Sequence, residues 1–369
     1  MNIDLVTEFI KLASMPSPSG KEKSVAEYIK GRLVSFGIES HFDDAGEKVD
    51  SDCGNLIAKI GEGDPVLLLV AHMDTVEDGK QRIAPIVKDG IIRSDGTTIL
   101  GSDDKSAIAA LFGAMDELKG EKGLPGTMIA FSIREEAGVT MGAKHLDIPK
   151  SVKFAFDLDG SEAPGAFINR AMGYHGFVID IKGKPAHAAK DPEKGRNAIK
   201  AAGMIISQLE LGRSSDGRTI NIGTIAGGNK DNIVPDSAKL SGEARAFGLE
   251  GMATNIGLIK KAAEAACNAT GCEFAITMKE QSPPMNTNED NAIVRLAKAA
   301  AEGAGTEFKL IPLYATVQGA YLAEKGFPTL NMARGGRMPH SFDEYISVEE
   351  LQKAKDVIVQ LIKNAASIS

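Results

Sequence analysis

The chain has 369 residues, 43% of them hydrophobic, which is enough for a substantial core and for two domains or one large domain with an insertion. A net charge of −8 argues against a nucleic-acid-binding protein. No apolar run is long enough to span a bilayer, and the start Met-Asn-Ile-Asp-Leu-Val-Thr lacks a basic stretch ahead of an apolar core, so neither a membrane segment nor a secretory signal is expected. The odd, sparse cysteines Cys53, Cys267 and Cys272 suit a reducing cytoplasm, and without a CxxC spacing they do not read as a zinc site.

In chain order, a helix is predicted over residues 3–13, broken by Met15-Pro-Ser-Pro-Ser-Gly20 because neither proline fits a helix interior. A second helix follows at about 21–36, with Val25, Tyr28, Ile29 and Leu33 on one face. Strands are expected at 55–60 and 66–70, the latter an unbroken apolar run and therefore buried on both faces. A helix at 105–118 and strands at 127–133 and 152–158 continue an alternation that implies an α/β core with a largely parallel sheet. From residue 172 the texture changes to strand 173–181, helix 197–209, strands 219–225 and 239–247, helix 252–267 and strand 273–279, a compact βαββαβ module. Ser282-Pro-Pro-Met285 marks the return, followed by helices at 290–302, 317–324 and 348–364 and short strands near 308–312 and 329–332. The expected organisation is thus an α/β domain in two parts, 1–171 and 282–369, with an α+β domain of residues 172–281 inserted between them.

Chemistry-bearing residues gather just beyond the strands. His72 and Asp74 follow the buried run Leu67–Val70, where one imidazole nitrogen can bind a metal while the aspartate fixes the tautomer; a surface histidine beside a capping aspartate is an equal alternative. Asp103 and Asp104 open a helix. Asp104 reads as an ordinary cap, whereas the two oxygens of Asp103 suit a bridge between two cations, with Lys105 balancing charge. Glu135 and Glu136 end the next apolar strand and can divide the labour, one on a metal and one taking a proton, although an isolated pair would read as a solvated loop. Asp159, at the end of Phe156-Asp157-Leu158-Asp159-Gly160, is a further ligand candidate and Asp157 a structural hydrogen-bonding residue. His340 lies in a late Gly/Pro-rich loop. Imidazoles mixed with carboxylates suit zinc, cobalt or manganese.

Taken together, HMDTV, GSDDK, REEAG, DLDG and the late PHS occur in the order and separation of the di-zinc exopeptidases, and over essentially its whole length the chain resembles that family. The group includes peptidase T, glutamate carboxypeptidase, the aminoacylases and succinyl-diaminopimelate desuccinylase; PSPSGKE and GSDDKSAIA point to the peptidase T branch. The resemblance implies a zinc-exopeptidase α/β/α catalytic domain with an inserted α+β lid. One metal would be held by His72, Asp103 and Asp159 and a second by Asp103, Glu136 and His340, with Glu135 as general base and Asp74 orienting His72. It also implies a cis peptide at Asp103–Asp104. In the lid, Gly183-Lys-Pro-Ala-His187 resembles the segment whose histidine stabilises the oxyanion, in dimeric relatives that of the partner subunit. Asn232 and Arg245 fall in segments that touch substrate, and Arg334 is a further candidate clamp; without the resemblance His187 would read as a loop histidine and Arg245 as one half of a surface pair.

The expected function is a cytoplasmic two-metal aminopeptidase, tripeptidase-like, acting on short peptides as a homodimer through the lid, without nucleic acid or membrane. The alternatives are an N-acyl amino acid amidohydrolase or a glutamate carboxypeptidase-type hydrolase on the same architecture, and a catalytically silent metal-binding scaffold. Substrate termini separate the first two from an aminopeptidase, which needs a free α-amine.

Overall fold

The computed structural model describes residues 3–138 and 141–367. The chain forms two compact units. The first runs to Arg170 and resumes at Thr287–Leu313 and from Val317 onward, and the second comprises Ala171–Asn286 with Tyr314–Thr316.

The first unit is built on a sheet with strands in the order Ser40–Phe42, Leu56–Ile60, Pro125–Ser132, Glu62–His72, Phe154–Gly160, Thr329–Ala333 and Ala166–Ala171. The three central pairings, among the strands starting at Pro125, Glu62, Phe154 and Thr329, are parallel. The outer pairings are antiparallel, so the sheet is mixed rather than uniformly parallel. The unbroken apolar run has its physical reason here. Leu67, Leu69 and Ala71 pack into the larger core with Phe9, Ile29, Leu111, Leu296 and Ile358 from five helices, Leu5–Ala13, Lys23–Phe36, Ser102–Glu117, Ala292–Gly303 and Val348–Asn364. Leu68 and Val70 point the other way, onto Met128, Ala143, Leu146, Ala155 and Leu322. Strand alternation therefore buries both faces, at about 1.5–3 kcal/mol for each large aliphatic side chain removed from water.

Local signals set the helix ends. Asp4 accepts from Val6 N, Asn291 from Ile293 N and Ser347 from Glu350 N, each closing an N-terminus. Gly37, at φ 79°, ends the second helix in the left-handed conformation that costs glycine nothing. Sequence periodicity located the helix now seen at Ser102–Glu117 but started it three residues late. The strands Ser40–Phe42, Ile86–Lys88, Ile91–Arg93 and Ala166–Ala171 were not anticipated; three of them are three residues long, too short for a periodic pattern.

The second unit is an antiparallel sheet in the order Gly212–Arg213, Thr219–Gly227, Ser237–Ala246, Gly173–Lys182, Glu273–Ser282. Helices Ala198–Gln208 and Leu249–Thr270 cover one face. Phe177, Ile179, Ile181 and Leu240 turn towards them and pack on Ala201, Ile205, Ile259 and Ala263. Asp180, Lys182 and Lys239 lie on the opposite face and are exposed, the alternation of a sheet with one covered side. Among the described residues, no helix is long and apolar enough to cross a membrane.

Candidate active site

The carboxyl ends of the parallel strands bring the motifs of the first unit together, which is where open α/β sheets place their sites. His72 is the last residue of Glu62–His72, Glu135 and Glu136 follow Pro125–Ser132, and Asp159 closes Phe154–Gly160. Asp103 stands in the first turn of Ser102–Glu117, where the Asp103–Asp104 peptide is cis. His340 comes from the loop beyond Thr329–Ala333, with φ 62°.

Asp103 is the centre of this group. Its Oδ1 lies 3.2 Å from His72 Nε2, and its Oδ2 lies 3.5 Å from His340 Nε2. On the first side, His72 Nε2 is also 3.7 Å from Asp159 Oδ1. On the second, His340 Nε2 is 3.0 Å from Glu136 Oε1. A tetrahedral ion with ligands at about 2.0–2.2 Å has ligand–ligand edges of roughly 3.4 Å, so donors at these separations suit such an ion on each side of Asp103. Asp103, Glu136 and His340 offer atoms within 4.8 Å of one another, as do His72, Glu135 and Glu136, and also His72 and Asp159 with Asp104 in the place expected for Asp103. The donor types also fit: two imidazoles among hard carboxylates, held in a site that burial makes costly for unneutralised charge.

The surroundings orient the donors. His72 Nδ1 lies 2.9 Å from the Asp74 carbonyl oxygen and 3.3 Å from its carboxylate, which leaves Nε2 turned to Asp103 and Asp159. The Asp74 carboxylate also accepts from the backbone N–H groups of Glu135 and Glu136, both at 3.0 Å, and from Ser19 Oγ at 2.6 Å. One buried aspartate thus ties the His72 strand end to the double-glutamate turn. Burial, then the negative charge of Asp159, raises the proton affinity of Glu135 well above that of an ordinary glutamate, although His72 works the other way. That direction suits a proton acceptor. For Asp103 burial favours the neutral acid, but Arg334, His340 and His72 outweigh it and keep the group ionised.

Two residues depart from expectation. Asp104 is not a helix cap. It is fully buried, accepts from His72 N at 3.1 Å and faces Arg334 Nε at 2.9 Å; the residue preceding the helix is Gly101, and no side chain caps it. Arg334 is only 1% exposed, and its guanidinium lies 2.6 Å from Asp103 Oδ1 as well as against Asp104. It is therefore directed at the protein's own carboxylates and not open to a substrate carboxylate. Lys105, also buried, donates to Met15 O at 2.6 Å, and burial lowers its pKa to about 8. Asp157 accepts from Gln318 Nε2, Gly319 N and Asn331 Nδ2.

A family model described as the peptidase dimerisation domain matches residues 169–271. The chain is 33% identical over 368 residues to the uncharacterized protein YqjE of Bacillus subtilis, covering 98% of both. The crystal structure of the aminopeptidase PepT from Bacillus cereus matches with a TM-score of 0.91 at 34% identity, over 98% of each chain. That of a tripeptidase from Staphylococcus aureus matches at 0.89 and 28%, again over 98% of each.

The chain is a peptidase T-like member of the M20 peptidases. It is accordingly a metal-dependent exopeptidase. In this peptidase the second unit carries the remaining expected residues. His187 is exposed, and its Nδ1 accepts from the backbone N–H groups of Ala189 and Lys190, both at 3.2 Å. That fixes the proton on Nε2 and presents it as a donor. Asn232 lies on the neighbouring segment: its carbonyl accepts from Ala188 N, and His187 bridges Ile233. Arg245 makes a bidentate pair with Glu243 at 2.9 and 3.0 Å and stands 4.9 Å over the Tyr174 ring.

Sequence reasoning passed over Glu22, Gln318 and Glu344. Glu22 is buried and accepts from Arg134 N at 3.0 Å, where Arg134 takes φ 57° immediately before Glu135. Gln318 links Ser132 to Asp157. Glu344 sits four places after His340, and that spacing alone carries no signal without the loop's path.

Proposed function

We propose that this peptidase is an aminopeptidase for short peptides, tripeptides foremost, working with two divalent cations. His72, Asp103 and Asp159 would hold one and Asp103, Glu136 and His340 the other. The observation that carries this reading is the pair of Asp103 oxygens, one turned to each imidazole. Zinc is the first choice, with cobalt or manganese as alternatives, and such ions polarise a scissile carbonyl and acidify a water.

Within that frame Glu135 takes the proton of the attacking water and returns it to the departing amine, a role supported by its raised proton affinity. Asp74 keeps His72 in one tautomer and holds the turn that presents Glu135. His187, with its proton fixed on Nε2, donates to the oxyanion. Asn232 and Arg245 meet the substrate, Arg245 by exchanging its partner Glu243 for a peptide carboxylate. The enzyme acts as a homodimer through its second unit, which the peptidase dimerisation match supports, and works in the cytoplasm.

The test is a hydrolysis panel of di-, tri- and tetrapeptides beside N-acyl amino acids, run with wild type and Glu135→Gln. Cleavage of free-amine tripeptides is expected, falling roughly 10²- to 10⁴-fold in the variant while metal content is unchanged. Preference for blocked amines would replace this reading with an amidohydrolase, and near-normal turnover by the variant would remove Glu135 from its role.

A further inference from the structure

The loop that carries His340 is closed at its base by two backbone hydrogen bonds, Arg337 N to Tyr345 O at 2.8 Å and Tyr345 N to Arg337 O at 3.1 Å. Glu344 stands at that base. It is 1% exposed, yet belongs to neither the sheet nor a helix. Its carboxylate reaches the turn that delivers Asp103. Oε2 accepts from Leu100 N and Gly101 N, both at 2.8 Å, and Oε1 accepts from Ser102 Oγ at 2.6 Å and Asp103 N at 3.2 Å. Gly101 takes φ 71° in this turn, the left-handed conformation that a side chain would disfavour. Successive N–H groups converging on one anion form a concavity of the kind that binds carboxylates and phosphates tightly. Here the anion is supplied from 241–244 residues further along the chain.

We propose that Glu344 is a positioning residue that locks the Asp103 turn to the His340 loop, so that the two donors expected to share one metal are set by a single carboxylate. This rests on the reading of Asp103 and His340 as metal ligands. The physical argument is one of reach. The His340 side chain is about half exposed and lies in an irregular loop, so its own packing does not fix its distance from Asp103. The four hydrogen bonds of Glu344 fix the base of that loop against the backbone of Asp103 itself. All four converge on the two oxygens of one side chain, so its loss releases them together. Glutamine at this position keeps one acceptor oxygen but turns an NH₂ group towards one pair of donors, so it preserves half of the lock. Alanine removes all of it, and Ser102→Ala removes one bond of the four.

The experiment titrates Zn²⁺ into metal-stripped protein against a chromophoric chelator, for wild type, Glu344→Ala, Glu344→Gln and Ser102→Ala. Circular dichroism melting is recorded with and without Zn²⁺. Glu344→Ala is expected to weaken the looser of two zinc sites roughly 10- to 100-fold, the range seen when groups supporting a metal ligand are removed. Glu344→Gln should fall between, and Ser102→Ala should lie closest to wild type. Excess Zn²⁺ should restore kcat in these variants with peptide KM unchanged, which a merely structural role would not produce. Two zinc sites of wild-type affinity in folded Glu344→Ala would overturn the proposal. If that variant fails to fold, wild-type affinity in both Glu344→Gln and Ser102→Ala would overturn it equally. Wild type binding no zinc, cobalt or manganese would instead remove the ligand reading itself, and this proposal with it.

Discussion

Both units carry exposed ion pairs, but among the described residues the buried charged side chains lie in the first unit. In the first, Asp103, Asp104, Lys105, Arg334 and Glu344 are all buried, and each has a charged or hydrogen-bonding neighbour within the unit. In the second, the ion pairs Lys239–Asp180, Lys260–Glu264 and Lys194–Asp191 join side chains that are largely open to solvent. Pairs of the second kind are worth about 0–1 kcal/mol and can be rearranged cheaply. Charges of the first kind are costly to bury and persist where geometry is needed for chemistry. The contrast is one of burial: the first unit holds a buried electrostatic constellation, and the second presents solvent-exposed ion pairs.

Metal removal should break this contrast most severely. A chelator is expected to abolish peptide hydrolysis and to lower the melting temperature of the first unit, since ligand present at a hundredfold excess over its Kd contributes about 2.7 kcal/mol. Calorimetry with separate transitions for the two units checks it, and an equal shift in both would erase the distinction. His187→Ala comes next. Loss of one oxyanion donor should reduce kcat about 10²- to 10³-fold with KM little changed, measured by steady-state kinetics on a tripeptide. Arg245→Ala should act on binding rather than turnover, raising KM about tenfold or more through a lost charge-assisted hydrogen bond. Lengthening the substrate or blocking its carboxyl group should shrink that penalty if Arg245 meets the C-terminus. The smallest effects should come from helix caps. Ser347→Ala in the first unit and Asn197→Ala in the second each remove a side chain that accepts from a helix N–H, at a cost of about 1 kcal/mol. Each should lower only its own unit's transition.

Much of the scaffold was legible because burial writes itself into sequence. Five apolar residues at 66–70 announce a strand covered on both faces, and the strand expected at 173–181 is found at Gly173–Lys182. The candidate ligands were legible in type and order, since carboxylates and histidines immediately after apolar strands are unusual company. The fate of Asp104 was not. A carboxylate in the first turn of a helix reads as a cap, and only the folded chain sets it beneath His72 and against Arg334. Arg334, expected as a further candidate clamp, is instead buried against Asp103 and Asp104, contacts that no local pattern announces.

The sequence by itself determined the parallel centre of the sheet, the inserted α+β module and the inventory of donors, because periodicity and residue type are local properties. Tertiary structure decided which oxygen of Asp103 faces which imidazole, that Asp104 is buried against His72 and Arg334, and that a glutamate four residues beyond His340 accepts from the turn before Asp103. Those are relations between segments 31 to 244 residues apart, and distance along the chain says nothing about a hydrogen bond until the sheet has brought its strand ends together.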